Sequence, residues 1–225
     1  MTRQLVFDLP VRVSRDRGDF FVSEANRLAV ARLDDTSGWT QGKLALVGPG
    51  GAGKTHLAHI WAEAEGGGLV DLDDVAGMDI AGVSGPLAVE VPDGALAATA
   101  EEALFHLHNH MGQHALPLLL VARTPPARWT IALPDLKSRM DATEVVRIDQ
   151  PDDALLSAVL LKLFADRQLQ VTPRLIAWMV PRIERSFRAA QEAVAALDAA
   201  ALSQKRRISR DLARDILDNP PSKAR

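Results

Sequence analysis

Short apolar runs recur along the first two thirds of the chain and predict β-strands. They cover residues 44–47, 69–72, 87–91, 118–122 and 145–148. Stretches with helical spacing separate several of them, notably residues 55–65 and 101–111. Strands that alternate with helices need crossover connections. The pattern therefore predicts an α/β fold with a parallel five-stranded sheet.

The pattern changes near residue 150. Pro151-Asp152-Asp153 is a helix-start signal, and the segments that follow (about 152–167, 172–180, 183–202 and 209–217) read as helices without a strand pattern. We predict an extended leader over residues 1–16, an α/β domain over 17–150 and a small all-α domain over 151–225. A further helix is predicted over residues 23–33, with Ser23 as its N-cap and Asn26 inside it.

A phosphate-binding signature follows the first predicted strand. Residues 44–55 read Leu-Ala-Leu-Val-Gly-Pro-Gly-Gly-Ala-Gly-Lys-Thr, a complete G-x-x-x-x-G-K-T loop between a strand and a helix. Its glycines let the backbone wrap around phosphates, the lysine reaches the β/γ-phosphates, and the threonine hydroxyl ligates Mg²⁺. The alternative, a chance glycine-rich turn, does not account for strand, loop and helix in this order. The predicted nucleotide contacts in this segment are Pro49, Gly50, Gly51, Ala52, Gly53, Lys54, Thr55 and His56.

Composition narrows the classes of protein to consider. The 225 residues include no cysteine, so disulfides, thiol nucleophiles and thiolate metal sites are excluded. The N-terminal residues do not resemble a signal peptide, and no apolar run approaches a membrane span, so we expect a soluble cytoplasmic protein. Residues 1–150 hold 13 basic and 20 acidic side chains, and the rest 13 and 9. Neither part has the large excess of positive charge that is typical of a DNA-binding surface.

Three further segments carry a family resemblance. Residues 20–29 (Phe-Phe-Val-Ser-Glu-Ala-Asn-Arg-Leu-Ala), 132–139 (Ala-Leu-Pro-Asp-Leu-Lys-Ser-Arg) and 183–188 (Ile-Glu-Arg-Ser-Phe-Arg) occur in that order around the loop. They resemble motifs of the DnaA-related AAA+ ATPases, and within that family the Hda group of regulatory inactivators of the initiator. The similarity spans residues 4–217. It implies an AAA+ P-loop domain followed by a small helical lid.

The resemblance also implies roles for individual residues. Val22 and Asn26 would pack near the adenine, Arg188 would sense a bound ADP or ATP from the lid, and Arg139 would act as an arginine finger in trans. A guanidinium keeps its charge and grips phosphate oxygens bidentately, which suits both arginine roles. The alternatives left open are a helix-surface charge for Arg188 and a loop salt bridge for Arg139.

Two departures from the family pattern bear on catalysis. Hydrolytic sites of this type end the third strand with adjacent acids, one for Mg²⁺ and one for the attacking water. Here Glu90 takes the metal position beside Thr55, but Val91 takes the second and accepts no proton. Arg123 follows the fourth strand where the family carries a small polar residue or Asp. We expect weak or no intrinsic ATP hydrolysis.

The leader carries a second resemblance. Residues 4–10, Gln-Leu-Val-Phe-Asp-Leu-Pro, are similar to the short peptides with which bacterial proteins dock on the replicative sliding clamp. Such peptides place alternate side chains in pockets and hydrogen-bond through the glutamine amide. The candidate anchors are Gln4, Leu5, Phe7, Leu9 and Pro10. The alternative is an N-terminal strand packed on the chain's own core.

Together these features predict a clamp-associated AAA+ regulator. It would bind ADP or ATP with Mg²⁺ and promote ATP hydrolysis by the initiator DnaA, contacting DNA only indirectly and no membrane. A free-standing ATPase that loads or remodels a nucleoprotein, as helicase loaders do, is the alternative, and a homo-oligomer stays open. His106, His110 and His114 have metal-ligand spacing. Because their segment offers no carboxylate or thiolate to complete the set, we interpret them as solvated or core-edge histidines.

Overall fold

Five parallel strands form the centre of the α/β unit. The computed structural model describes residues 21–218. Across the sheet the order is β2-β3-β4-β1-β5, and every neighbouring pair is parallel. The predicted α/β fold with a five-stranded parallel sheet is therefore confirmed. The strands are β1 (Lys43–Val47), β2 (Gly68–Asp71), β3 (Leu87–Glu90), β4 (Leu118–Ala122) and β5 (Glu144–Arg147).

The burial of each strand explains its place in the sheet. Every residue of β1 and β4 is buried, and both strands are continuous apolar runs apart from Lys43. Strands covered by helices on both faces read this way. The outer strands β2 and β5 are only partly buried. Alternation sends Ala45 and Val47 of β1 to one face of the sheet, and Leu44 and Leu46 to the other.

Helices cover both faces of the sheet. On one face, α3, α4 and α5 enclose a core that includes Leu104, Leu107 and Met140. On the other, α2 buries Leu57 and Trp61, and the Trp61 ring stacks on Trp39 with centroids 5.2 Å apart. The helices of this unit are α1 (Arg27–Asp34), α2 (Lys54–Ala64), α3 (Leu72–Val75), α4 (Ala98–Gln113) and α5 (Pro134–Asp141).

The chain divides into two compact units. Residues 26–149 form the α/β unit, while residues 150–218 group with residues 21–25 in a second unit. The regular structure of residues 150–218 is helical, and its own core includes Leu160, Phe164, Val194 and Leu197. Its helices are α6 (Asp153–Asp166), α7 (Pro173–Met179), α8 (Phe187–Gln204) and α9 (Arg210–Leu217).

Two predicted helix starts are wrong. The first helix begins at Arg27, not at residue 23, because Ser23 accepts a hydrogen bond from the Ala25 amide (3.2 Å) in a turn. Asn26 is therefore the N-cap residue rather than an interior one. The helix predicted from residue 183 begins at Phe187, because the Ser186 hydroxyl accepts a hydrogen bond from the Ala189 amide (3.1 Å).

Helix α4 is longer than predicted, and two short helices were not predicted at all. It runs from Ala98 to Gln113 and includes Gly112 in its last turn. The unpredicted helices are α3 and α5. Among the helices within residues 21–218, none combines the length and apolar character needed to cross a bilayer.

Candidate functional site

The loop between β1 and α2 has a conformation that its glycines permit. Gly51 and Gly53 have φ of 72° and 92°, in the left-handed region that other residues rarely adopt. A Cβ on Gly48 would lie 2.2 Å from the Ile148 carbonyl oxygen, so this position also requires glycine. The loop is therefore folded as the sequence motif requires, with its last residue, Gly53, as the N-cap of α2.

Lys54, the first residue of α2, is held inside the loop. Its ammonium donates hydrogen bonds to the carbonyl oxygens of Gly48 and Pro49, both at 2.8 Å. Burial lowers the pKa of Lys54, the nearby Arg123 lowers it further, and Asp93 and Glu90 oppose the shift. The ammonium thus lies where the loop backbone would enclose a phosphate.

Thr55 and Glu90, the predicted magnesium pair, are in contact. The Thr55 hydroxyl donates a short hydrogen bond to the carboxylate of Glu90, the last residue of β3. A hydroxyl and a carboxylate supply the hard oxygen ligands that Mg²⁺ takes. Across residues 21–218, no three His, Asp or Glu side chains converge as a metal site. The pair therefore fits an ion that takes its remaining ligands from water and from a nucleotide.

These residues line a cleft of about 540 Å³ at the carboxyl ends of the strands, which we call the P-loop cleft. Val91, which is 7% exposed, also lines the cleft. It occupies the position at which hydrolytic sites of this type carry their second acid. Arg123 lines the cleft as well, and its Nε lies 3.0 Å from the Asp93 carboxylate. Sequence reasoning missed this ion pair, because Asp93 lies thirty positions before Arg123 in a different loop.

The other predicted nucleotide contacts have varied environments. Ala52 is buried within the loop, whereas Gly50 and His56 are exposed. Asn26 is 1% exposed, directly before α1. Two predicted contacts belong to the second unit: Val22 is half-buried, and Arg188 lies in the first turn of α8 with a side chain that is 75% exposed.

Arg139 does not line the P-loop cleft. It lies in the last turn of α5, and its guanidinium donates a hydrogen bond to the Asn109 side-chain oxygen of α4. The same group lies 3.4 Å from Nδ1 of His108 and 4.9 Å from the centre of the Phe105 ring. Its partners are thus an amide and two rings, in place of the loop salt bridge considered as the alternative. Together with Lys43, His108 and Asn109 it lines a second cavity, which we call the α4–α5 cavity.

Within residues 21–218 the three histidines with metal-ligand spacing form no three-residue metal site, although the His110 and His114 rings lie 4.2 Å apart. His110 hydrogen-bonds the Val83 carbonyl oxygen through Nε2 (2.7 Å), and His114 hydrogen-bonds the His110 carbonyl oxygen through Nδ1 (2.9 Å). His106 packs edge-on against Phe105. The buried histidine of this helix is His108, which sequence reasoning did not single out as functional. Its position four residues after Leu104, on the same face of the helix, is the sequence feature that indicates its burial.

The predicted clamp-binding residues Gln4, Leu5, Phe7, Leu9 and Pro10 lie outside the described residues.

Comparison with known proteins shows the fold. No family model matches the chain. An uncharacterized protein of Haemophilus influenzae is 28% identical over 119 residues, which is 52% of each chain, so the match spans about half the length of that relative. Domain III of the Thermotoga maritima replication initiation protein DnaA superposes with a TM-score of 0.73 at 13% identity, over 88% of this chain and 93% of that one.

Two other solved structures are similar. A DnaA bound to AMPPCP and single-stranded DNA gives a TM-score of 0.64 at 17% identity, over 83% of this chain and 66% of that one. The Thermotoga maritima RuvB branch migration motor gives 0.61 at 19% identity, over 78% and 61%. At these identities the likeness establishes the architecture. The fold of this chain is similar to that of domain III of DnaA.

Proposed function

We propose that this chain binds an adenine nucleotide with Mg²⁺ in the P-loop cleft. The observation that carries the proposal is the joint placement of Lys54 inside the glycine loop and of Thr55 against Glu90. The loop amides and the N-terminus of α2 would face the phosphates, and Lys54 would add a point charge. Thr55 and Glu90 would hold the metal, which neutralises phosphate charge when bound. The likeness to a DnaA bound to AMPPCP supports this choice of nucleotide.

The nucleotide would act as a structural ligand more than as a substrate. Val91 cannot take a proton from water, and the cationic Arg123 occupies the end of the fourth strand. We infer that the chain is a regulator, with Arg139 completing the ATP site of a related AAA+ subunit. The initiator DnaA is the proposed partner, and residues 4–10 would tether the chain to the sliding clamp. Arg188 would contact the nucleotide from the helical unit.

The second candidate is a free-standing remodelling ATPase. The fold likeness to a branch migration motor favours it. Val91 opposes it, because a motor needs repeated hydrolysis. Turnover by the purified protein separates the two candidates: the regulator is expected to hydrolyse ATP far more slowly than about 1 s⁻¹, and a rate near that value would favour the remodelling ATPase.

Calorimetric titration with Mg-ADP and Mg-ATP tests the binding site. Lys54→Ala is expected to weaken both affinities by about 10-fold or more, since hydrogen bonds to charged phosphate oxygens are lost. Lys137→Ala is the matched control, because Lys137 pairs with Asp141 on α5 and lies outside the cleft. Equal affinities for wild type and Lys54→Ala would refute the site.

ATP hydrolysis by DnaA, measured with clamp loaded on DNA, tests the regulatory role. Arg139→Ala is expected to keep nucleotide and clamp binding but to lower the stimulation by up to about 10³-fold, the scale of an arginine finger. Gln4→Ala should lose clamp binding but keep nucleotide binding, because loss of the tether lowers only the effective concentration of the chain near DnaA. Arg147→Ala, on the exposed edge of β5, is the control for loss of an arginine. Undiminished stimulation by Arg139→Ala would exclude the proposed mechanism.

A further inference from the structure

The α4–α5 cavity is the larger of the two cavities described in the α/β unit. It has a volume of about 850 Å³, and Lys43, His108, Asn109 and Arg139 are among its lining residues. Lys43 is the first residue of β1, whereas the P-loop follows its last. The first and last residues of the strand are four steps apart, about 13 Å. This cavity is therefore a different site from the P-loop cleft.

A buried lysine supplies part of its charge. Lys43 is only 4% exposed, and its ammonium donates a hydrogen bond to the Gln41 carbonyl oxygen (3.0 Å). A Cβ on Gly112 would lie 3.2 Å from that ammonium, so the glycine in the last turn of α4 leaves room for it. An ammonium carries three donors. Two hydrogens of Lys43 are thus left for another acceptor in the cavity.

The two cations of the cavity, Lys43 and Arg139, are not paired with a carboxylate in the part of the chain that the structure describes. Within residues 21–218, no ion pair joins a carboxylate to Lys43 or to Arg139. The one acidic lining residue, Glu65, accepts a hydrogen bond from the Thr36 hydroxyl. Burying a charge without a counter-ion is costly, so two cations around one cavity favour an anion there.

The ionisation of neighbouring groups agrees with that field. Burial lowers the pKa of Lys43, and Arg139 lowers it further. His108 is 6% exposed, and burial lowers its pKa to about 4, with added effects of Lys43 and then Arg139. Each group is shifted toward its uncharged form, chiefly by burial and then by the neighbouring positive charge. A bound anion would oppose these shifts.

We propose that the α4–α5 cavity binds phosphate oxygens, with Lys43 as the buried anchor and Arg139 as the planar partner. The guanidinium gives only one of its five donors to Asn109, so donors remain for a phosphate. The inference deepens the proposed function and rests on it in one respect: the nucleotide of a neighbouring AAA+ subunit is one source of the phosphate. Free polyphosphate is the other source.

Tripolyphosphate is the probe for this site, and the ring resonances of His108 are the readout. The titration uses full-length protein saturated with Mg-ADP, so that the P-loop is filled, and in parallel Lys54→Ala without nucleotide. His108→Gln assigns the resonances. In both proteins we expect a saturable shift and a higher pKa of His108, because a nearby anion favours the imidazolium. Because Lys54→Ala needs no nucleotide, failure of the nucleotide proposal would not affect this result.

Lys43→Met removes the charge and keeps an unbranched side chain. Folded proteins often tolerate the replacement of a buried charged group by an apolar one of similar volume. We expect Lys43→Met to weaken tripolyphosphate binding by at least about 10-fold while Mg-ADP affinity, which also reports folding, is unchanged. Lys43→Gln is the second variant, and Lys137→Met on α5 is the control. No saturable His108 shift in wild type, or the same shift in Lys43→Met, would overturn the proposal.

Stimulation of DnaA by Lys43→Met then identifies the source of the phosphate. Loss of stimulation, with Arg147→Ala unaffected, would show that the cavity receives the nucleotide of the neighbouring subunit. Full stimulation together with lost tripolyphosphate binding would show that the site takes a free polyphosphate. Either result supports the phosphate site.

Discussion

At the scale of single residues, His108 makes stability depend on pH. Its pKa in the folded chain is about 4, because the ring is buried beside Lys43 and Arg139. In an unfolded chain a histidine has a pKa of about 6.5. Between these values the unfolded state binds more protons than the folded state, so the free energy of unfolding falls as the pH falls. The loss begins near the unfolded pKa and is complete below the folded one.

We therefore predict that His108 alone lowers the free energy of unfolding by about 2 kcal/mol between pH 7 and pH 5. Urea titrations at the two pH values give the change in the free energy of unfolding for wild type and for His108→Gln. The difference between these two changes is the contribution of His108. His106→Gln, at an exposed position of the same helix, is the control and is expected to behave as wild type. Identical pH dependence in wild type and His108→Gln would contradict the assignment.

At the scale of elements, side-chain caps set where the helices of the second unit begin. Asp152, Thr172, Ser186 and Ser209 each accept a hydrogen bond from the amide three residues later. These bonds satisfy donors that have no partner within the helix. Helical periodicity alone had placed the start of α8 too early, because Ile183 fits the apolar pattern although the cap lies at Ser186.

Ser186→Ala is expected to lower the free energy of unfolding by about 1 to 2 kcal/mol, since the Ala189 amide loses its partner at a position that is 2% exposed. Urea unfolding followed by circular dichroism measures it. Ser203→Ala, at an exposed position of the same helix, is the control, and alanine's high helix propensity should leave stability unchanged or slightly raised. A Ser186→Ala protein as stable as Ser203→Ala would show that the cap contributes nothing.

At the scale of the whole molecule, nucleotide binding and stability are linked. A ligand that binds only the folded chain stabilises it by mass action. If Mg-ADP occupies the P-loop cleft, a free concentration 100 times its Kd should raise the free energy of unfolding by about 2.7 kcal/mol. Thermal unfolding at graded ADP concentrations measures the shift. Lys54→Ala, whose affinity is expected to be at least about 10-fold weaker, should show a rise of about 1.4 kcal/mol or less at the same concentrations, and an equal shift in that variant would mean that ADP stabilises the chain from another site.

The sequence by itself determined the local features of this protein. The apolar runs predicted all five strands to within one residue at each end. The strands β1 and β4 are apolar almost throughout because both of their faces are covered, and the partly buried outer strands keep a shorter apolar run. The glycine loop and its order between strand and helix were likewise readable, since backbone conformation there depends on neighbours in sequence. Thr55 and Glu90 were paired by analogy with a family, and the contact between β3 and α2 brings them together.

Only the tertiary structure decided which distant residues meet. The strand order β2-β3-β4-β1-β5 depends on packing among elements far apart in sequence, which periodicity does not encode. That order brings Arg123 to Asp93, and the packing of α5 on α4 brings Arg139 to His108 and Asn109. In the sequence, Lys43 is a polar residue directly before the first predicted strand. Its burial, and with it the charge of the α4–α5 cavity, followed from the helix that covers it.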